Sequence, residues 1–346
     1  IYDLEKDHHN PQAVLTGDTL FIGDVGRPDL LASIGVSASE LAGMLYNSLH
    51  HKLLTLPDET LVYPAHGAGS MCGKNLSTET VSTIGVQRRY NYALQPMSKG
   101  EFIHLVTADQ PEAPEYFAYD AMLNRRERPT LENTMERVLR PLSLDEVLWM
   151  RDAGSQVLDV RATADFAGVH LADSVSICLS GNFATWAGTI LDRENPIVII
   201  AEPGREEETT MRLGRIGFDH VAGYLEGGMQ ALDTRLDLVR QTDRITAATL
   251  AEQLASPEPP LVLDVRTGRE WQEKRIEGSL HIPLNHLRER VYKVPRDQKV
   301  VVHCATGYRS SIAASLLEQN RCTEVADLVG GIAAWEASGL RTLTST

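Results

Sequence analysis

The 346-residue chain is predicted to be an α/β protein whose last two thirds repeat one parallel-sheet domain. Three observations predict it. Gln156-Val-Leu-Asp-Val-Arg161 returns as Leu261-Val-Leu-Asp-Val-Arg266, and Glu226-Gly-Gly-Met229 returns as Val329-Gly-Gly-Ile332, offsets of 105 and 103 residues that mark a duplicated unit. Each copy alternates short buried strands with helical patterns, the signature of a parallel sheet covered on both faces. Composition agrees: 42% apolar and 23% charged residues describe a globular chain, and at roughly 100–200 residues per domain its length holds two or three cores.

The elements follow in order. Leu15-Thr-Gly-Asp-Thr-Leu-Phe-Ile22 alternates like a half-buried strand and ends in the loop Gly23–Asp29, while His8-His9 is expected in a solvated turn. Ser37-Ala-Ser-Glu40 is a capping-box pattern ahead of Leu41, Leu45, Leu49 and Leu53, an apolar stripe at helical spacing. Thr60–Tyr63 is predicted as a strand, and Pro64-Ala-His-Gly67 as a turn that exposes the imidazole at a sheet edge. Pro111, Pro114 and Asn124-Arg-Arg-Glu-Arg-Pro129 look like an irregular connector. The predicted domains are 1–140, 141–242 and 243–346. Each repeat then shows a helix (Leu144–Met150; Thr249–Leu254), a buried strand (Val157–Val160; Leu261–Val265) and a small apolar strand (Val175–Cys178; Leu280–Leu284). A β-branched strand follows (Ile197–Ile200; Val300–His303), then a loop and a helix such as Ser310–Leu317.

Thirty-three basic against 47 acidic residues give a net charge of −14, a field that repels phosphate backbones and anionic lipid and argues against nucleic-acid or membrane binding. No apolar run approaches the eighteen or so residues needed to cross a bilayer. Four cysteines, Cys72, Cys178, Cys304 and Cys322, are too sparse for a disulfide scaffold, which points to a reducing, cytoplasmic compartment and to a working thiol. Ile1 is not an initiator Met and reads as the end of a strand, so the chain is expected to be the downstream portion of a longer one.

The strongest candidate site is Val302-His-Cys-Ala-Thr-Gly-Tyr-Arg-Ser-Ser311, between a buried strand and a helix. A loop curling over a helix start aims backbone N–H groups inward, and the helix dipole adds positive potential there. Cys304 in that cradle would ionise more readily than a free thiol and act as a nucleophile. Gly307 lets the backbone turn, Arg309 brings a guanidinium fork suited to sulfonate, phosphate or carboxylate oxygens, and the hydroxyls of Thr306 and Ser310 can donate further bonds. In the first repeat Ala201 falls at the nucleophile's place, followed by Glu202-Pro-Gly-Arg-Glu-Glu-Glu208. No thiol stands there to act as a nucleophile, so that copy is predicted to be a packing and spacing module. Cys178 and Cys322 are expected to be buried small hydrophobes.

These residues resemble the rhodanese (thiosulfate sulfurtransferase) family, whose six-residue active loop begins with the persulfide-forming cysteine. Both copies fit its domain, through the Asp-Val-Arg after the first strand, Gly278-Ser-Leu-His-Ile-Pro283, and Gly330-Gly331 before a helix with Trp335. The resemblance implies two α/β/α domains with parallel sheets. Cys304 would accept sulfane sulfur, Arg309 would assist it, and Ala305, Thr306, Gly307, Tyr308 and Ser310 would line the substrate. The phosphatase loop His-Cys-x₅-Arg is the neighbouring alternative. Here Cys304 to Arg309 leaves four residues between, a smaller ring that suits one sulfur atom better than a tetrahedral phosphate.

The N-terminal segment resembles the C-terminal half of the metallo-β-lactamase αββα fold, through Thr16-Gly-Asp-Thr-Leu-Phe21 and Tyr63-Pro-Ala-His-Gly67. Gly23-Asp-Val-Gly-Arg-Pro-Asp29 and Pro64-Ala-His-Gly-Ala-Gly-Ser-Met-Cys-Gly73 are similar to the persulfide dioxygenases fused to rhodanese domains. That resemblance implies Fe(II) rather than Zn in the complete protein, with Asp18 and His66 at metal positions, Cys72 as a sulfur relay, and Arg27 pairing with the carboxylate of a thiol cosubstrate. The family's His-x-His-x-Asp-His motif is absent here, so an incomplete site is expected in this chain. The implied partners are a low-molecular-weight thiol persulfide, thiosulfate or sulfite, with a homodimer left open. A lactamase-type thioester hydrolase and a non-enzymatic sulfide-sensing scaffold are the other readings.

Overall fold

A computed structural model describes residues 1–3, 7–30, 35–68, 72–74, 76–108, 110, 117, 119, 122 and 139–344. The connector segments around Pro111, Pro114 and Asn124–Pro129 lie outside the described residues. The chain divides into two compact units, Ile1–Glu127 and Arg128–Thr346.

In the first unit a three-stranded sheet pairs Ala13–Gly17 in parallel with Leu61–Pro64, which pairs antiparallel with Ser82–Thr83. The strand expected over Leu15–Ile22 stops at Gly17, whose φ of +53° turns the chain, so Asp18 stands on a turn at the strand's end. His8 and His9 belong to a short strand, Asp7–Pro11, paired with Tyr2–Asp3, and not to a turn. The helix Ala38–His51 begins with the capping box read from the sequence, Ser37 and Glu40 each holding the other's backbone N–H. The same unit carries the helix Lys99–Thr107, and Leu49, Val62, Ile84 and Phe102 share its core.

The second unit contains two five-stranded, all-parallel sheets of the same topology. In the first repeat the order is Pro141–Leu142, Val221–Leu225, Ile197–Ile200, Gln156–Asp159, Val175–Ser176. In the second it is Asp243–Ile245, Val325–Leu328, Val300–His303, Leu261–Asp264, Leu280–His281. The central strands Ile197–Ile200 and Val300–His303 are buried at every position, which is why they read as unbroken β-branched runs. Val262, Val301, Ala326, Leu328 and Trp335 pack the second core, as Val157, Val198, Ile200 and Leu225 pack the first. Each large apolar side chain buried this way contributes about 1.5–3 kcal/mol.

The repeated Asp-Val-Arg has a structural cause. Arg266 closes on Asp264 with hydrogen bonds of 2.6 to 3.1 Å and donates to the Lys274 carbonyl at 2.7 Å, with both side chains buried. Arg161 does the same with Asp159 and the Val169 carbonyl. The pair ties the end of a central strand to the segment behind the following helix, and full hydrogen bonding is what permits the buried charges. No helix among the described residues is long and apolar enough to cross a membrane.

Candidate active site

The strand Val300–His303 delivers Cys304 to the C-terminal edge of the second sheet, and the helix Tyr308–Gln319 leaves from the same point. Gly307, at φ +114°, makes the turn between them and caps the helix. Its N–H donates to Cys304 Sγ at 3.1 Å, and Ser310 Oγ stands 3.6 Å from the sulfur. The thiol therefore faces donors at the positive end of a helix dipole, although Cys304 is only 1% exposed. Gly307 is the N–H that reaches the sulfur, where a fuller ring of amides was expected.

The carbonyls of the loop are held from the other side. Ile332 N–H donates to the Cys304 carbonyl at 2.9 Å, and Ala333 N–H to the Ala305 carbonyl at 3.2 Å. This needs the helix Gly331–Ala337 to press its first turn onto the loop. Gly330 and Gly331 have positive φ, and a Cβ at Gly331 would stand 2.4 Å from the Cys304 oxygen. Behind the loop, His303 is buried with Nδ1 3.2 Å from the Cys304 carbonyl and Nε2 3.4 Å from Asp264 Oδ2. Burial pushes its imidazole down despite the nearby Asp264.

Arg309 lies beside the loop, but its fork is closed. Its two terminal nitrogens donate to Glu270 at 2.8 and 2.6 Å. Glu270 also accepts the N–H and hydroxyl of Thr267, so one carboxylate completes a helix capping box and clamps the loop arginine. Burial alone would raise the Glu270 carboxyl, and the Arg309 and Thr267 hydrogen bonds outweigh it and hold it down at about 2. Glu270 was missed by sequence reasoning. The signal was Thr267-Gly-Arg-Glu270, the same capping pattern recognised at Ser37.

Of the other loop residues, Thr306 is exposed. Tyr308 turns toward the first repeat and donates its hydroxyl to the Cys178 carbonyl at 2.7 Å, its ring packed against Gly181. Cys178 and Cys322 are buried, as expected. In the first repeat the glycines that shape the loop remain, Gly204 for Gly307 and Gly227 and Gly228 for Gly330 and Gly331, but the side chains of the constellation are gone. Ala201 stands for Cys304, Glu206 for Arg309, Asp165 for Glu270, and Ala162, which makes no side-chain cap, for Thr267.

In the first unit Asp18, His66 and Cys72 converge, with one ligand atom from each lying within 4.8 Å of the others. His66 Nε2 is 3.3 Å from Asp18 Oδ1. Cys72, placed by the Gly-rich loop, also accepts the Arg27 N–H through its carbonyl. Arg27 departs from expectation. Its side chain is buried and its fork is taken by Asp29 at 2.7 and 2.8 Å, which leaves those nitrogens occupied. Arg27 and Asp18 nevertheless line one cavity of about 340 Å³, together with Leu30, Leu41, Met44 and Leu45.

A thiol at a strand-to-helix turn, in the second of two parallel-sheet domains of one strand order, defines a duplicated α/β domain protein with a loop cysteine in one copy. A rhodanese-like domain profile matches residues 143–234 and 246–338, together more than half of the chain, and the chain belongs to the rhodanese-like domain family. A sulfurtransferase of Allochromatium vinosum is 35% identical over 98 residues, 28% of this chain and 92% of that protein. The probable adenylyltransferase/sulfurtransferase MoeZ of Mycobacterium tuberculosis is 33% identical over 93 residues, 26% of this chain and 24% of that one. A metallo-beta-lactamase from Staphylococcus aureus subsp. aureus COL, seen in a crystal structure, aligns with a TM-score of 0.49 and 27% identity, covering 62% of this chain and 58% of its own.

Proposed function

We propose that the chain is a sulfurtransferase in which Cys304 carries sulfur as a persulfide. The observation that carries this is the Gly307 N–H on Cys304 Sγ at a helix N-terminus, where the first repeat has Ala201 and no sulfur. The Cys304 thiolate attacks the outer sulfur of thiosulfate, the new S–S bond forms, and sulfite leaves with the electrons of the old one. A second nucleophile, cyanide or a thiolate, takes that sulfur and returns Cys304 as thiolate. The loop backbone receives the extra sulfur, and Arg309 acts through its pair with Glu270 to hold the loop in shape. Cys304→Ser is expected to leave the fold intact and abolish thiosulfate:cyanide sulfur transfer. Undiminished turnover in that variant overturns the assignment.

The convergence of Asp18, His66 and Cys72 supports the finer reading, a persulfide dioxygenase joined to this sulfurtransferase. A carboxylate, an imidazole and a thiol form a donor set that fits a divalent first-row metal. They would supply the carboxylate and one imidazole of a two-histidine, one-carboxylate iron centre. Bound Fe(II) would supply open positions for substrate and the redox chemistry of dioxygen. Asp18 stands on the rim of the cavity, with His66 beside it, Leu41, Met44 and Leu45 give that cavity an apolar wall for the carbon part of a persulfide, and Cys72 stands beside the donors where sulfur could be passed. Joining both activities in one chain raises the effective concentration of their shared sulfur intermediate. In the complete protein, which would add the missing histidine ligand, Asp18→Ala is expected to lower Fe(II) bound per chain at least tenfold, read by elemental analysis after dialysis. Equal metal content in both proteins overturns the site.

A further inference from the structure

The helix that starts at the sulfur loop is docked along one face onto the silent repeat. Tyr308, Ser311, Ser315, Glu318 and Gln319 fall at helical spacing on that face. Tyr308 reaches the Cys178 carbonyl, Ser311 Oγ lies 3.0 Å from Ser176 Oγ, and Ser315 Oγ accepts the Ser176 N–H at 3.1 Å. Gln319 donates to the Asp173 carbonyl at 2.6 Å. The strand Val175–Ser176 is the edge of its sheet, so the serines cover polar groups that would otherwise be left open.

At the far end of this seam His170 is buried, its ring stacked on Phe166 at 3.9 Å between centroids. Nδ1 lies 2.8 Å from the Phe166 carbonyl, and Nε2 lies 3.0 Å from Glu318 Oε2. The other Glu318 oxygen accepts the Thr242 hydroxyl at 2.6 Å. A carbonyl oxygen only accepts, so Nδ1 must carry a proton. Nε2 faces a carboxylate, so that contact is a hydrogen bond only with a proton between the ring and Glu318. With one proton fewer, two lone pairs face each other in a buried site, which is costly. The other charged groups around the pair are already committed. Asp159 and Arg161 close on each other, and Arg240, opposite His170 across a two-residue ladder, donates to the Asp237 and Val239 carbonyls.

We propose that His170, on the repeat without a nucleophile, is a positioning residue for sulfur transfer: its proton-sharing bond to Glu318 fixes the helix that presents the Cys304 loop. The inference rests on the sulfurtransferase reading of Cys304.

The test uses the full chain. Glu318→Gln keeps both hydrogen bonds without the extra proton, since its amide can donate to a neutral His170 and its oxygen can accept from Thr242. Expected results are a Glu318→Gln variant within about twofold of wild type and a Glu318→Ala variant with kcat lowered roughly 3–10-fold and KM little changed. A Glu318→Ala variant with wild-type kcat, or a Glu318→Gln variant as slow as Glu318→Ala, overturns the proposal. Hydrogen exchange across Tyr308–Gln319 separates the two readings. Wild-type chain without sulfur transfer overturns the sulfurtransferase reading, and the seam then stands or falls on whether protection drops in Glu318→Ala and is kept in Glu318→Gln.

Discussion

At the scale of residues, the thiol site is a set of interlocked hydrogen bonds and not a lone reactive side chain. Glu270 illustrates it, since one carboxylate closes a helix cap and a loop arginine at once. Its lowered carboxyl makes the sign plain: the clamp is fully present above the ordinary carboxylate range and is lost only as pH falls toward 2. Glu270→Gln should therefore cut sulfur transfer roughly tenfold at neutral pH, and Arg309→Lys, which has no fork, should do about the same. The double variant should be no worse than either single one, because both remove one bond. Additive losses measured by steady-state kinetics would show that Arg309 works independently of Glu270. Cys304, Gly307 and Arg309 were legible in the sequence because a strand, a thiol, a glycine and an arginine sit at fixed spacing. The partner of Arg309 was not, because it lies 39 residues away on another helix and only the fold brings it near. The partner of Arg27 was out of reach in the same way, since nothing in a linear reading showed that Asp29 would turn back onto it.

At the scale of elements, the strands that were easiest to read are those buried on both faces. Ile197–Ile200 and Val300–His303 were predicted to the residue because a doubly covered strand tolerates little but β-branched apolar side chains. The strand after Ala13 was overextended to Ile22. Alternation continues through Leu20 and Ile22, but Gly17 takes a left-handed conformation and the chain turns before the pattern ends. A further element-level constraint is the approach of the helix Gly331–Ala337 to the loop. Gly331→Ala adds both a strained φ and a clash with the Cys304 carbonyl, so it should destabilise the second repeat by about 1–3 kcal/mol or more and misplace the thiol. Thermal unfolding of the variant checks the stability, and alkylation of Cys304 followed by peptide mass spectrometry checks the placement. An unchanged midpoint with unchanged alkylation would mean that the helix can retreat without cost.

At the scale of the whole molecule, duplication was visible because two motif pairs recur at nearly equal offsets, and the structure gives both copies one strand order. What the linear reading could not give is the seam. Ser176, Ser311 and Ser315 are ordinary serines until a sheet edge and a helix from different repeats are set side by side. The convergence of Asp18, His66 and Cys72 is intermediate, since its residues were picked out from motif resemblance while their mutual distance is a property of the fold.

The first repeat keeps the glycine turns that frame the loop, Gly204, Gly227 and Gly228, and has Ala201 where its sibling has the thiol. Replacing Ala201 by cysteine would set a sulfur before a helix that opens with Glu206, Glu207 and Glu208, with no arginine at the place of Arg309 and no capped glutamate to anchor it. That copy's surface serves instead as the bed on which its sibling's helix rests.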